Sequence, residues 1–191
     1  MNEHRIITIS RQFGSGGRSV GRLAAEKLGI RCYDNELIAR LAEESGFAEE
    51  YVKRDSEYLR SNWFTGFSAG YTTPQDNLWF AQCRVIRDIA EKESCVIVGR
   101  CADYILREHP NCLNVYLHAS PEFRADRIVN LYKDESDLPV EKRIREKDRS
   151  RAAYYLHYTV QEWGDAKNYD VCLDTGTLGI EKCAEIITAL Y

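Results

Sequence analysis

The chain of 191 residues is 44% apolar and 29% charged, an ordinary balance for a globular protein. This length is sufficient for one domain with its own hydrophobic core, so we expect residues 1–191 to form a single domain. The formal net charge of -4 argues against a general nucleic-acid or membrane-surface binder, because both classes need an excess of basic side chains. An anionic ligand would therefore have to be bound by a local cluster of arginines.

The cysteines and the amino terminus bear on the cellular compartment. The seven cysteines are scattered, form no C-x-x-C pair and in part lie inside apolar runs, which is typical of reduced core residues rather than of disulfides or a zinc site. The four histidines are dispersed, and we assign them no metal role. A strand pattern begins within a few residues of the amino terminus, which leaves no room for a signal peptide, and no segment has the length and apolarity of a membrane span. We therefore expect a cytoplasmic protein.

The first thirty residues have the pattern of a strand, a tight turn and a helix. An apolar run at 5–10 ends at a segment containing Gly14, Gly16 and Gly17, and helical spacing of apolar residues follows to residue 28. These glycines suit a loop whose backbone N–H groups converge on an anion, and a helix beginning near Arg18 would add its positive end. Ser19 falls where a phosphate-binding loop places its magnesium-ligating hydroxyl.

Two positions depart from the pattern G-x-x-x-x-G-K-[ST]. Gln12 stands where the first glycine belongs, and Arg18 replaces the lysine. Arginine keeps the charge and can contact two phosphate oxygens, but its flat guanidinium is not a point charge. Taken alone, the segment leaves two interpretations open, a phosphate-binding loop and an ordinary glycine-rich turn.

Strand and helix patterns alternate about five times along the chain. This order predicts an α/β fold with a five-stranded, mainly parallel sheet, helices on both faces and right-handed crossovers. Further strands are predicted at 30–33, 95–99, 113–118 and 170–174, and further helices at 36–44, 48–60, 78–93, 102–107, 121–132, 140–157 and 180–190.

Polar residues follow the predicted strands at their carboxyl ends, where parallel sheets bind ligands. Residues 10–19, Asp34, Gly99 with Arg100, and 174–175 occupy these positions, and we expect them to converge on one crevice. Two alternatives stay open for single residues. Arg100 could serve as a structural ion-pair partner, and Asp34 could cap the helix that follows it.

Residues 61–77 combine four aromatic side chains with glycine, serine, threonine and proline and show no periodicity, so we predict a long loop. Its aromatic residues could cover a bound base, pack on another subunit or lie on the protein's own surface. The second possibility makes a homodimer one of the expected partners.

Residues 141–151 contain six basic and three acidic side chains, a local net charge of +3. Lys142, Arg145 and Arg149 stand at i, i+3 and i+7 and form one stripe on a helix. A solvated face with internal ion pairs is the simpler explanation. Phosphoryl transfer offers another, because it needs positive charge around the transferring group, often on a segment that closes over the site.

Several segments, taken in order, resemble the cytidylate kinase-like family, a branch of the bacterial cytidylate kinases among the P-loop nucleoside monophosphate kinases. The resemblance covers nearly the whole chain and is weakest at 48–82. It is carried by I-T-I-S-R-Q-F-G-S-G-G-R-S-V-G at 7–21, Y-D-N-E-L-I at 33–38, V-G-R at 98–100, D-R-S-R-A at 148–152, W-G-D at 163–165 and N-Y-D at 168–170.

The resemblance implies a three-layer P-loop NTPase fold with a small acceptor-binding insert near 48–77 and a helical lid at 134–157. It also implies transfer of the γ-phosphoryl group of ATP to a nucleoside monophosphate, with CMP or dCMP the family's acceptors. By position, the ATP phosphates would be bound by Gly14, Ser15, Gly16, Gly17, Arg18 and Ser19, with Mg²⁺ on Ser19; the acceptor by Asp34, Arg40, Arg100 and Asp103; and the transferring group by Arg18, Arg145, Arg149 and Arg151.

Two further hypotheses stay open beside this one. The chain could be a nucleotide- or anion-binding regulatory protein on a kinase scaffold, with turnover lost together with the lysine. It could also be a kinase whose acceptor is a small metabolite other than a nucleotide, because the insert region is atypical.

Overall fold

The computed structural model describes residues 4–44, 46, 74–132 and 138–191. Within them, five parallel strands form one sheet in the order β2-β3-β1-β4-β5. This arrangement confirms the predicted parallel sheet. The strands are β1 Ile6–Arg11, β2 Arg31–Tyr33, β3 Cys95–Val98, β4 Cys112–His118 and β5 Val171–Asp174.

The described helices alternate with the strands as predicted. Among the residues described, no helix combines the length and apolarity that crossing a membrane requires. The helices are α1 Gly17–Leu28, α2 Asn35–Glu44, α3 Pro74–Lys92, α4 Ala102–Ile105, α5 Pro121–Tyr132, α6 Val140–Thr159, α7 Thr175–Leu178 and α8 Ile180–Leu190, with a 3₁₀ turn at Ala166–Asn168.

Two sequence predictions need correction. The predicted loop at 61–77 is helical over its last four residues, because α3 begins at Pro74, and proline suits the first position of a helix. The predicted turn at 175–176 is the start of the short helix α7, whose first N–H groups are capped by the Asp174 carboxylate. The predicted helix at 48–60 and the remainder of the loop lie outside the described residues.

The sheet is covered on both faces, which explains why its central strands are continuously apolar. Successive side chains of β1 and β3 alternate between two cores. Ile6 and Ile97 pack with α2, α3 and α4 on one face. Ile9 and Val96 pack with α1 and α8 on the other.

The turn after β3 has an unusual backbone conformation. Gly99, Arg100 and Cys101 have φ values of 84°, 58° and 53°, so three consecutive residues are left-handed. For arginine and cysteine this conformation costs roughly 1 kcal/mol each. The turn places Arg100 beyond the carboxyl edge of the sheet, next to the end of β1.

Helix α1 packs unusually close to the sheet at Gly21, which gives a prediction for folding stability. A Cβ at this position would lie 2.8 Å from Val98 Cγ2 and 3.3 Å from Ile9 Cδ1. Helix propensity alone would make Gly21→Ala more stable by about 0.5–1 kcal/mol. Overpacking of a buried contact costs about 1–3 kcal/mol, so we expect a net loss of stability.

Urea unfolding of Gly21→Ala tests this balance. Lys27→Ala, on the exposed side of the same helix, is the control and should change stability by less than about 0.5 kcal/mol. A Gly21→Ala variant that is more stable than the original protein would show that α1 does not rest on the sheet as described.

Candidate active site

The glycine-rich loop between β1 and α1 is anchored to the end of β4. The Gln12 N–H donates to Leu117 O over 3.0 Å, and Gln12 Oε1 accepts the Ala119 N–H at 3.2 Å. The Ser15 hydroxyl donates to Gln12 O at 2.9 Å, and the Thr175 hydroxyl donates to Ser15 O at 2.7 Å. Gln12, the residue that departs from the loop pattern, therefore has a structural function that glycine could not perform.

The amino terminus of α1 has the properties of an anion site. Gly16, its N-cap residue, is left-handed with φ 84°, and no described side chain caps the helix. The first-turn N–H groups of a helix have no carbonyl partner within it, and the helix dipole places partial positive charge there. A phosphate group bound at Gly17–Ser19 would satisfy both features.

Helix α5 lies directly against this loop. A Cβ at Gly14 would approach Arg124 O to 2.9 Å, and a Cβ at Gly16 would approach Arg127 Nε to 3.2 Å. Arg127 Nη2 donates to Ser19 Oγ at 2.7 Å, while its Nε is buried without a hydrogen-bond partner in the described structure. A second cation therefore lies at the hydroxyl expected to bind magnesium.

Arg18 points toward the turn between β2 and α2. Its Nε lies 3.3 Å from Asp34 Oδ2 and its Nη2 lies 2.7 Å from Glu36 Oε1. Burial alone would raise the pKa of Asp34. The Leu37 N–H at 3.1 Å and the guanidinium groups of Arg18 and Arg22 outweigh burial and hold this pKa below its ordinary value. Asp34 thus caps α2, as the sequence alternative proposed, and also contacts the loop arginine.

Asp148 on α6 joins the loop to two helices. One carboxylate oxygen accepts the Phe13 N–H at 2.7 Å, and the other accepts from Arg124 on α5. Both side chains are largely buried, with 18% and 8% of their surfaces exposed. Arg124 also donates to Phe13 O at 3.3 Å. Three residues that are distant in sequence thus hold α6 against Phe13 in the loop.

A cavity of about 430 Å³ lies at the carboxyl edge, between the turn after β3 and the inner face of α6. It contains four cationic side chains. Arg100 Nε is buried without a hydrogen-bond partner in the described residues, and Arg151 donates to Arg11 O over 2.9 Å. The cavity is lined by Ser10, Arg11, Asn35, Gly99, Arg100, Cys101, Lys147, Ser150, Arg151, Tyr154, Tyr155 and Trp163.

A second cavity of about 460 Å³ adjoins the first and shares Arg100, Ser150 and Tyr154 with it. Its other lining residues are Leu78, His157 and Tyr158. The Tyr158 ring stacks on Trp79 with 4.3 Å between ring centroids. The two cavities therefore form a cleft with a cationic part and an aromatic part, which suits a ligand with an anionic group and an apolar ring.

The predicted basic stripe of α6 lies on the opposite side of Asp148. Lys142, Arg145 and Arg149 are exposed and line a third cavity of about 630 Å³ together with Arg124 and Asp148. The i, i+3, i+7 spacing is confirmed as one face. Of the three predicted lid arginines, the structure brings only Arg151 into the cationic cavity.

The remaining predicted acceptor residues lie outside that cavity. Asp103 is 6% exposed and accepts the Tyr155 hydroxyl at 2.7 Å, so it reaches the cavity only through Tyr155. Arg40 is on the exposed side of α2, where its guanidinium lies 3.3 Å from Glu44.

Five residues contribute to the site although the sequence analysis assigned none of them an individual role. Arg11 lies within the strand-end segment 10–19, which was expected at the crevice. Lys147 precedes Arg151 by four residues and so shares its helix face. Asp148 begins one of the segments that carry the resemblance, and Arg124 and Arg127 gave no pattern signal. The importance of these three arises from the packing of α5 and α6 on the loop.

The buried carboxyl of Asp103 gives a prediction about pH. Burial raises its pKa above the ordinary 3.8, and the hydrogen bond from Tyr155 offsets this only in part. The folded state therefore binds this proton more tightly than the unfolded state. The resulting stability is present below the ordinary pKa and is lost as the pH rises through the raised value.

Asp103→Asn carries no charge and keeps an acceptor for Tyr155. We expect its stability relative to the original protein to increase as the pH rises from about 4 to 7. Urea unfolding at a series of pH values measures the difference between the two proteins. A difference that does not change with pH would show that Asp103 is ionised in the folded state at little cost.

The contact between Asp148 and Arg124 gives a second prediction. Asp148→Ala leaves a buried guanidinium and the Phe13 N–H without their acceptor, which should cost about 3 kcal/mol in unfolding free energy. Adding Arg124→Met removes the stranded charge, so the double variant should recover part of that loss. Glu146→Ala, on the exposed side of α6, is the matched control. Additive effects of Asp148→Ala and Arg124→Met would contradict the contact.

Comparison with known proteins identifies the family of the chain. The family model described as the cytidylate kinase-like family matches residues 6–177. A cytidylate kinase of Archaeoglobus fulgidus is 30% identical over 189 residues, which cover 95% of this chain and 91% of that protein.

Similar folds occur among solved structures. An uncharacterised protein from Eubacterium ventriosum has a TM-score of 0.76 at 25% identity and covers 98% of both chains. The shikimate kinase of Acinetobacter baumannii, solved with shikimate, has a TM-score of 0.54 at 14% identity, covers 99% of this chain and 93% of its own, and shares the fold alone. The chain belongs to the cytidylate kinase-like family and is a phosphotransferase of the nucleoside monophosphate kinase type with a P-loop kinase fold.

Proposed function

We propose that the enzyme transfers the γ-phosphoryl group of ATP to a nucleoside monophosphate, with CMP or dCMP as the favoured acceptor. The observation that carries this proposal is the cleft at the carboxyl edge, whose cationic part lies beside the glycine-rich loop and continues into an aromatic part. The cytidylate kinase named as a relative supports the choice of CMP.

On the donor side, the loop residues Gly14, Ser15, Gly16, Gly17, Arg18 and Ser19 bind the ATP phosphates. The uncapped start of α1 supports this assignment, because its N–H groups and dipole favour an anion. Arg127 adds a cation at Ser19 Oγ. For Arg18 to contact phosphate, its ion pairs with Asp34 and Glu36 must be exchanged for phosphate oxygens. The contact with Glu36, whose side chain is 76% exposed, costs little to break, whereas the Asp34 side chain is only 13% exposed.

The hydroxyl of Ser19, which is exposed next to the start of α1, would hold magnesium once the Arg127 guanidinium releases that oxygen. When bound there, the ion would neutralise charge on the donor phosphates.

On the acceptor side, the cationic cavity binds the phosphate of the acceptor through Arg100 and Arg151. The nucleoside lies over the aromatic cavity, next to Tyr154, which lines both parts of the cleft. We assign Asp34 to the boundary between the donor and acceptor sites because its carboxylate contacts Arg18. Asp103 acts through Tyr155, and Arg40 joins the site only if α2 moves toward it.

Catalysis in this arrangement consists of positioning and charge neutralisation without a covalent enzyme intermediate. Arg151 on α6 already lies beside the start of the loop, where it donates to Arg11 O, and Arg18 on α1 would turn toward the phosphates from Asp34 and Glu36. Arg145 and Arg149 lie on the outer face of α6 and would approach the transferring group when the lid closes. A homodimer and a cytoplasmic location stay predictions of the sequence.

An isotopic phosphate-transfer assay with ATP, magnesium and a panel of acceptors tests the proposal. The panel contains CMP, dCMP, the other nucleoside monophosphates and non-nucleotide metabolites. The expected result is fastest transfer to CMP or dCMP. Transfer only to a metabolite would show that the acceptor is that metabolite rather than a nucleotide. Tight binding of ATP without any transfer would favour a regulatory protein on a kinase scaffold. The engagement of Arg18 by two carboxylates is the observation that favours this second candidate.

Arg18 gives the sharpest prediction about rate. Its side chain is 39% exposed, so Arg18→Ala should leave the fold intact and change stability by no more than about 1 kcal/mol. The rate of transfer should fall by roughly 10³-fold, as with other arginines that neutralise a transferring phosphoryl group. Arg18→Lys, which keeps the charge, should retain more of the rate than Arg18→Ala.

Arg22→Ala is the matched control for Arg18→Ala. Arg22 lies one turn further along α1 and also contacts Asp34 at 3.3 Å, but it is 65% exposed and outside the loop. Its loss should therefore change the rate much less. Unchanged turnover in Arg18→Ala, measured at saturating ATP and acceptor, would contradict the assignment of the loop to the ATP phosphates.

A further inference from the structure

We propose that Arg11, the last residue of β1, is a ligand of the acceptor's phosphate group. This inference rests on the proposed function and adds a residue to which neither the family pattern nor the sequence prediction gave a role. The inference rests on the contacts of the Arg11 side chain with Gly17, Gly99 and Asn35, which direct its guanidinium into the cationic cavity.

The stem of Arg11 lies on Gly17, the first residue of α1. A Cβ at Gly17 would lie 2.6 Å from Arg11 Cγ and 2.8 Å from Arg11 Cβ. Contacts this short with the inflexible start of a side chain cannot be relieved by a rotation of its far end. The missing side chain at Gly17 therefore gives the Arg11 stem its path along the start of α1.

The guanidinium of Arg11 lies on Gly99, at the end of β3. A Cβ at Gly99 would approach Arg11 Cζ to 2.9 Å, inside van der Waals contact. The Asn35 amide, oriented to donate to Val98 O at 2.8 Å, accepts from Arg11 Nη2 at 3.0 Å. Gly99 and Asn35 thus hold the planar group at the cavity floor, next to the strained turn that carries Arg100.

The surroundings of this guanidinium identify an anionic ligand. The described residues that line the cavity include Arg11, Arg100, Lys147 and Arg151, and no aspartate or glutamate. Bringing like charges together costs free energy that a bound anion offsets. Arg11 and Arg100 line the same cavity, and two guanidinium groups suit the several oxygens of a phosphate dianion, since each can donate two parallel hydrogen bonds.

Calorimetric titration without ATP tests the role of Arg11 with three probes: CMP, cytidine and inorganic phosphate. For the original protein we expect CMP to bind more tightly than cytidine. Arg11→Gln should weaken the binding of CMP roughly 10- to 100-fold, the range for a hydrogen bond to a charged group, and leave the binding of cytidine unchanged. Arg11→Lys should lose less of the affinity for CMP. In a separate titration, the affinity of both variants for ATP should stay within about twofold of the original, since the donor phosphates bind the loop.

The outcomes separate this inference from the proposed function. If CMP is preferred over cytidine and Arg11→Gln keeps that preference, the role of Arg11 is overturned and the acceptor proposal stands. If CMP is not preferred but inorganic phosphate binds and its binding needs Arg11, the phosphate ligand is supported and CMP is not the acceptor. If neither CMP nor inorganic phosphate binds the original protein, both proposals fail.

Two further variants exclude a merely structural role. In the original protein, Gly99→Ala should displace the Arg11 guanidinium and weaken the binding of CMP. In the Arg11→Gln variant, the same substitution should weaken the binding of CMP little further. Equal losses of CMP affinity in both proteins would contradict the contact between Arg11 and Gly99. Arg107→Gln, which removes an exposed cation stacked on Tyr104, is the control for net charge and should leave CMP affinity unchanged.

Discussion

The carboxylate of Asp148 is the contact on which the geometry of the site depends. It accepts the Phe13 N–H with one oxygen and a hydrogen bond from the Arg124 guanidinium with the other, and it belongs to α6, which carries six basic residues between 141 and 151. A buried arginine is tolerated only when its charge is paired, so Asp148 also permits α5 to lie against the glycine-rich loop. Position 148 therefore determines how the loop, α5 and α6 fit together.

Asp148 also divides the cations of α6 into two groups with different surroundings. Lys147 and Arg151 face the strand ends and share a cavity with Arg100, whereas Arg145 and Arg149 face outward beside Arg124. The helical period places the two groups on different faces of α6, and the Asp148 carboxylate lies between them. In the proposed function, one side serves the acceptor while the other is kept for the donor phosphates.

The sequence predicted the sheet well and the site in part. Apolar β-branched runs and helical spacing determine strands and helices locally, and the parallel order follows from their alternation, so the convergence of the loop with Arg100 could be inferred. The direction of Arg18 could not, because it depends on Asp34 and Glu36 across a turn. The burial of Asp103 behind Tyr155 likewise depends on α4 meeting α6, which no local pattern encodes.

The glycines at the carboxyl edge acquire a meaning that the loop pattern does not give them. Gly17 lies against the stem of Arg11, and Gly99 lies against its guanidinium. Gly14 lies against the backbone of Arg124 and the side chain of Ile128, whereas Gly16 lies nearest to the side chain of Ile180. At Gly17 and Gly99 the missing Cβ therefore leaves room for part of an arginine, and an alanine at either position would displace Arg11 before it affected a phosphate. These two glycines thus specify the packing of a guanidinium group beside the ligand as well as the approach of the ligand to the backbone.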